Sequence, residues 1–212
     1  MMRKFLVLLS FAGVAIALML WLRPASTDYA NFPPSATGPW IAFGDSLTEG
    51  VGSSGGHDYP SVLGGLLGIE ILNQGRSGDT TAGGLARVDE ITQLQPRTVL
   101  LCLGGNDALS QVPRDETLSN LAAIIDRLQS VGSFVVLIGI RSASLRDRNE
   151  EYFAQLAKEK RVAYLPDMLR GLAFKPVYMS DAIHPNDQGY ALIVARLEKF
   201  LRPLLPQLKN VK

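Results

Sequence analysis

From Trp40 onward the chain alternates between short apolar runs and stretches with helical spacing, and this alternation restricts its fold more than any other feature. The apolar runs are Trp40–Phe43, Ile69–Leu72, Thr98–Leu103, Phe134–Ile140 and Val162–Leu165. Each is brief, and several are rich in Val and Ile, as strands buried on both faces tend to be. Helical candidates lie between them, near 58–67, 82–94, 115–131 and 149–160. A last one, from about Asn186 to Leu205, places Tyr190, Ile193, Val194, Leu197, Phe200 and Leu201 on one face. Strand–helix alternation predicts an α/β fold, a flavodoxin-like three-layer α/β/α sandwich around a parallel sheet of about five strands. A length of 212 residues, 47% hydrophobic and 19% charged, suits one such domain with a full-sized core.

The first residues follow another pattern. Arg3 and Lys4 precede an uncharged apolar run from Phe5 to Leu22, the charged and hydrophobic regions of an export signal. At 18 residues the run is also near the minimum for a membrane span, and Arg23 and Pro24 follow it in place of a small-residue cleavage site. Residues 1–22 are therefore read as a signal peptide or an N-terminal membrane anchor, with Arg3 and Lys4 on the cytoplasmic side. Residues 23–38, with Pro24, Pro33 and Pro34, are read as a linker, and 39–212 as the domain. Both readings of the N-terminus place the domain outside the cytoplasm, periplasmic if the cell has two membranes.

Charge excludes one class of partner. The net charge is +1, and without residues 1–30 it is −1, with 18 cations against 19 acids. No basic run lies beyond the N-terminus, so no nucleic acid is expected as partner. Cys102 is the only cysteine; no internal disulfide is possible, and its apolar surroundings predict a buried, inert thiol. Nothing in the sequence demands an oligomer, and a monomer is the default.

In parallel sheets covered by helices, ligands bind beyond the carboxyl ends of the strands. Four polar clusters fall there: Gly44-Asp45-Ser46 after the first strand, Asn73 to Thr80 after the second, Gly104 to Asp107 after the third, and Asp181 to His184 before the last helix. Two glycine motifs nearby are decoys. Gly50 to Gly55 matches a dinucleotide fingerprint in spelling, but its glycines stand too far past the first strand, and Glu70 lies near the start of the second strand where the ribose-binding acid should end it. Gly52 to Gly56 spells a nucleophile elbow around Ser54, without the strand before it that such an elbow needs.

A serine hydroxyl needs a base to become a nucleophile, and histidine suits that task near neutral pH. The chain has two histidines. His57 lies in the glycine-rich stretch and is read as a surface or local structural residue. His184 follows Asp181 by three positions, a spacing that lets the carboxylate fix the imidazole tautomer.

Gly44-Asp45-Ser46-Leu47, Ser77-Gly78-Asp79-Thr80, Gly104-Gly105-Asn106-Asp107 and Asp181-Ala182-Ile183-His184-Pro185 resemble, in order and position, the four blocks of the SGNH, or GDSL, hydrolase family. The resemblance spans roughly residues 39–206. It is closest to the bacterial periplasmic thioesterase/lysophospholipase and arylesterase group, through Asn73 to Arg87 in particular. Carried over by position, it implies Ser46 as nucleophile, His184 as base and Asp181 as the acid that orients it. It also implies an oxyanion hole of the Ser46 N–H, the Gly78 N–H and the Asn106 side-chain amide. Asp45, Asn73 and Asp107 are assigned to structure, while Thr48 and Glu49 depart from the smaller residues expected there.

The expected activity is hydrolysis of carboxylic esters or thioesters through an acyl-serine, with small acyl esters, thioesters or lysolipids as substrates and with no metal or cofactor. Removal of acetyl groups from an envelope carbohydrate, or acyl transfer to one, uses the same chemistry and is the first alternative. A non-catalytic nucleotide- or flavin-binding domain is the second. Loops near 48–57, 108–114 and 141–149 are expected to set specificity, with Ser142 to Arg148 a candidate cover for the site.

Overall fold

The computed structural model describes residues 28–140 and 149–209. The apolar runs become strands β1 (Trp40–Gly44), β2 (Ile71–Gly75), β3 (Thr98–Cys102), β4 (Phe134–Ile138) and β5 (Ala163–Leu165). They form one five-stranded sheet in the order β2-β1-β3-β4-β5, with every pair parallel. β1, β3 and β4 are buried along their whole length. Successive side chains leave a strand on opposite faces, so each run feeds two cores. Trp40, Ala42, Leu100, Cys102, Phe134 and Val136 face one side, where they meet helices α2 (Tyr59–Leu67) and α7 (Asp187–Leu201). Ile41, Phe43, Val99, Leu101, Val135 and Leu137 face the other, against α3 (Thr81–Thr92), α5 (Arg114–Ser130) and α6 (Asn149–Glu159). The expected three-layer architecture is present.

Several boundaries differ from the sequence reading. β2 begins at Ile71, because Gly68 closes α2 in a left-handed conformation and the Ile69 N–H still bonds back to the Gly64 carbonyl at 3.0 Å. It then continues through Asn73, Gln74 and Gly75, which pair with Ala42, Phe43 and Gly44. Pairing extends this edge strand where hydrophobicity stops. The last helix ends at Leu201, since Pro203 has no N–H to continue it, and α8 (Leu205–Lys209) follows as a separate piece. Two short helices, α1 (Ser46–Glu49) and α4 (Gly105–Leu109), were not expected.

Residues 28–38 pack on the domain although their composition reads as linker. The Tyr29 and Phe32 rings lie 5.8 and 5.2 Å from that of Phe134 at the start of β4, and Asn31 donates its side-chain amide to the Gln129 carbonyl at 2.8 Å. Residues 1–27, including the proposed signal or anchor, and Ser142 to Arg148, the candidate cover, lie outside the described residues. Among the described residues no helix is long and apolar enough to cross a membrane.

The order β2-β1-β3 makes the chain leave β1 in one direction and return on its other side, which opens a crevice at the carboxyl ends of β1 and β3. The α1 helix starts there. Asp45 caps it, accepting the Leu47 N–H at 3.0 Å, and is 2% exposed. Burial pushes the Asp45 carboxyl up to about 6, only partly offset by the Leu47 N–H. α1 then lies so close to β2 that a Cβ on Gly75 would meet the Glu49 backbone nitrogen at 2.1 Å.

Two predictions follow from this packing. Gly75→Ala must displace backbone rather than a side-chain tip, so it should destabilise by about 1–3 kcal/mol or more in urea unfolding; an unchanged midpoint would contradict the close approach. Asp45 ionises less readily folded than unfolded, so its contribution to stability falls as pH rises from about 4 to 6. Asp45→Asn keeps a capping oxygen and cannot ionise; its stability relative to the parent should rise over that window, by on the order of 3 kcal/mol. Parallel unfolding curves at pH 4 and 7 would show otherwise.

Candidate active site

Ser46 is the first residue of α1, set at the carboxyl end of β1 by the Asp45 cap. His184 and Asp181 reach it from a loop that precedes α7. This loop is closed on itself: the Ser180 N–H donates to the His184 carbonyl at 2.9 Å, the Asn186 N–H donates to the Tyr178 carbonyl at 3.0 Å, and Met179 and Pro185 form an antiparallel bridge. Asn186 then caps α7 by accepting the Gly189 N–H. Within the loop one Asp181 oxygen accepts the backbone N–H groups of Ile183 and His184, both at 2.7 Å. Its other oxygen stands 2.8 Å from His184 Nδ1. His184 Nε2 lies 3.0 Å from Ser46 Oγ.

This chain of contacts fixes proton positions. Asp181 accepts a hydrogen bond from the Nδ1–H, the tautomer that leaves Nε2 to accept from the serine hydroxyl. The His184 side chain, and then the backbone N–H groups of His184 and Ile183, hold the Asp181 carboxyl down to about 2. It is therefore ionised throughout the neutral range.

Gly78 occupies a turn in which the Asp79 N–H donates to the Arg76 carbonyl at 3.1 Å, and its φ of 83° is one that glycine adopts without strain. A Cβ there would meet nothing within 4 Å, so the site is open above it. Among the described residues neither the Ser46 nor the Gly78 N–H donates to a protein acceptor. Asn106, on α4 beyond β3, gives one amide hydrogen to the Asp79 carbonyl at 2.9 Å and keeps the other. The segments that carry Gly78 and Asn106 are thus joined directly. A second tie comes from buried Asp107, which accepts the Thr81 N–H at 2.8 Å and its hydroxyl at 2.5 Å.

Arg87 of α3 was noted in the sequence only as the end of a motif, yet it anchors this edge. It is 4% exposed and donates to Asp79 Oδ2 at 2.6 Å and to the carbonyls of Gly44 and Gln74, both at 3.0 Å. Its guanidinium lies 4.4 Å from the centre of the Phe43 ring. Asn73 ties β2 to α1, donating to the Thr48 carbonyl at 2.8 Å.

Beside Ser46 lies a mainly apolar cavity of about 180 Å³ whose walls include Leu109, Ile140, Leu169, Met179 and Ile183, with Asn106 at its edge. Leu169 and Met179 belong to a segment with neither strand nor helical period, so the sequence held no signal for this wall.

Ser54 and His57 form a separate, exposed cluster with Asp187. The Ser54 hydroxyl donates to Asp187 at 2.7 Å and stands 3.0 Å from His57 Nδ1. Here the serine sits between the acid and the imidazole, so no carboxylate orients the histidine toward it. The arrangement latches the glycine-rich loop to the start of α7, as does the Ser54 N–H bond to Asp187 at 2.7 Å. Cys102 is buried, and burial pushes its thiol well up. Among the described residues no group of three or more His, Cys, Asp or Glu side chains stands together to hold a metal ion.

Comparison with known proteins gives the family of the chain. The family model described as GDSL-like Lipase/Acylhydrolase matches residues 42–192, which contain all four polar clusters. The chain is 33% identical over 184 residues to the Thioesterase 1/protease 1/lysophospholipase L1 of Escherichia coli (strain K12), covering 82% of this chain and 88% of that protein. It is 31% identical over 161 residues to an arylesterase of Vibrio mimicus, covering 70% of this chain and 80% of that one. The crystal structure of TesA superimposes with a TM-score of 0.74 at 26% identity, over 79% of this chain and 99% of that structure. Fold, cluster order and sequence match together establish that the chain belongs to the GDSL-like lipase/acylhydrolase family and is an esterase.

Proposed function

We propose that Ser46, His184 and Asp181 form the catalytic triad of a serine hydrolase that cleaves carboxylic esters or thioesters of short to medium acyl chains. The observation that carries this reading is the continuous contact from Ser46 Oγ through His184 to Asp181, at 3.0 and 2.8 Å, beside an apolar cavity. Ser46 Oγ bonds to the acyl carbon while its proton passes to His184 Nε2. The imidazolium formed is stabilised by Asp181. The charge that develops on the acyl oxygen is received by the Ser46 and Gly78 N–H groups and the free Asn106 amide hydrogen. Collapse expels the alcohol or thiol, which takes the proton from His184. Water then attacks the acyl-serine with His184 again as base, releasing the acid and restoring Ser46.

The cavity supports the acyl class. About 150 Å³ of apolar cavity is enough to hold a six-carbon ring, so about 180 Å³ suits a chain of about six to eight carbons. The similarity to proteins described as thioesterase, lysophospholipase and arylesterase supports lysolipids, thioesters and aryl esters as candidate substrates. Arg3, Lys4 and the apolar run 5–22 support an extracytoplasmic location, with the domain exported or tethered at a membrane.

The test is turnover of p-nitrophenyl acetate, butyrate, octanoate and palmitate. Rates should be highest for butyrate or octanoate and fall for palmitate, and Ser46→Ala should abolish them in a folded protein. Full activity in that variant would reject the triad. Asn106→Ala should lower kcat by about 10²–10³, the usual loss for one oxyanion donor. An unchanged kcat would remove Asn106 from the mechanism.

A further inference from the structure

The Gly78 N–H belongs to the peptide between Ser77 and Gly78, in an exposed turn where rotation of one peptide would point that N–H elsewhere. The positive φ of Gly78, third residue of the Arg76–Asp79 turn, is the one a type II turn requires. Such a peptide is useful to a transition state only if both of its flanks are fixed. The Asp79 flank is held twice, by the Asn106 amide on its carbonyl and by Arg87 on its carboxylate. The Ser77 flank is held by Glu49. The same Glu49 carboxylate oxygen accepts the Ser77 N–H at 2.6 Å and the Ser77 hydroxyl at 2.5 Å.

We propose that Glu49 is a positioning residue for ester hydrolysis, clamping Ser77 so that the Gly78 N–H stays aimed at the acyl oxygen. The proposal rests on Gly78 acting as an oxyanion donor. Glu49 ends the four-residue helix that Ser46 begins, and its backbone packs on Gly75 of β2. The clamp therefore ties the nucleophile and one oxyanion donor to the same short helix, and the two cannot drift apart without breaking charge-assisted bonds. Glu49 is exposed and touches none of the reacting atoms in this scheme, so its effect should appear in the transition state and not in folding.

The experiment compares Glu49→Ala, Glu49→Gln, Ser77→Ala and the Glu49→Ala/Ser77→Ala double variant on p-nitrophenyl butyrate, with urea midpoints measured alongside. Glu49→Ala should lower kcat and kcat/KM together by about tenfold with KM and the midpoint unchanged, the mark of an interaction made in the transition state. Glu49→Gln keeps an oxygen for the Ser77 N–H and should recover most of the rate. Ser77→Ala loses only the hydroxyl bond and should be milder, and adding it to Glu49→Ala should cost nothing further. An unchanged kcat in Glu49→Ala overturns the proposal. So does a loss that tracks a lowered midpoint and is not recovered by Gln. The Ser46→Ala variant separates the two levels: if it is inactive while Glu49→Ala is normal, only the clamp fails, whereas an active Ser46→Ala removes the site on which the clamp depends.

Discussion

A parallel sheet ends with all its strands running into loops at one edge, and no ladder hydrogen bonds hold those loops to each other. In this protein the buried Arg87 guanidinium supplies the missing link. It binds the last carbonyl of β1, the carbonyl of Gln74 in β2 and the carboxylate of Asp79, while Phe43 covers its face. Breaking a buried charge pair of this kind typically costs about 3–5 kcal/mol, because the remaining partner is left uncompensated in a poorly solvated place. The same side chain therefore fixes the exit of β1, from which Ser46 follows, and the turn that carries Gly78. Asp107 repeats the device one strand over by holding Thr81 at the start of α3. The site's precision derives from these ties more than from the strands.

Two aspartates near Ser46 show how environment divides roles among identical side chains. Asp45 directly precedes the serine but is buried, with its carboxyl raised and its oxygen used as a helix cap. Asp181 is half exposed and accepts three N–H groups, which keep it ionised. Only the second can stabilise a positive imidazole across the whole neutral range. Burial leaves Asp45 to cap a helix, and hydrogen bonding keeps Asp181 ionised, as the proposed triad requires of its orienting acid.

Much of this was legible in the sequence, for physical reasons that also mark where legibility ends. Strands buried on both faces, such as β3 and β4, carry their own hydrophobic signal, so their centres and the layer order were readable. β2 is an edge strand whose second half is Asn73-Gln74-Gly75, held by backbone pairing that residue types do not display. Ser46, Gly78, Asn106, Asp181 and His184 could be named as a candidate set only through the resemblance of their short motifs to a known family, and the structure brings Ser46, His184 and Asp181 into one chain of contacts. Their supports could not be named. The Glu49–Ser77 bonds join residues 28 positions apart, and Arg87 reaches 43 positions back to Gly44. The cavity wall of Leu169 and Met179 comes from a segment without period, and the Ser54–Asp187 latch spans 133 positions. Contacts of that range are made by the fold, not by local pattern.

Ser46 is the proposed nucleophile because, among the described residues, His184 Nε2 meets no other serine hydroxyl, and Asp181 holds the opposite ring nitrogen. The most direct measurement is labelling of the intact protein with a serine-reactive fluorophosphonate, followed by peptide mass mapping. The proposed triad requires a single adduct on Ser46, lost in a His184→Ala variant that still folds. An adduct on Ser54, in the exposed cluster with His57 and Asp187, or labelling of Ser46 that persists without His184, would contradict it.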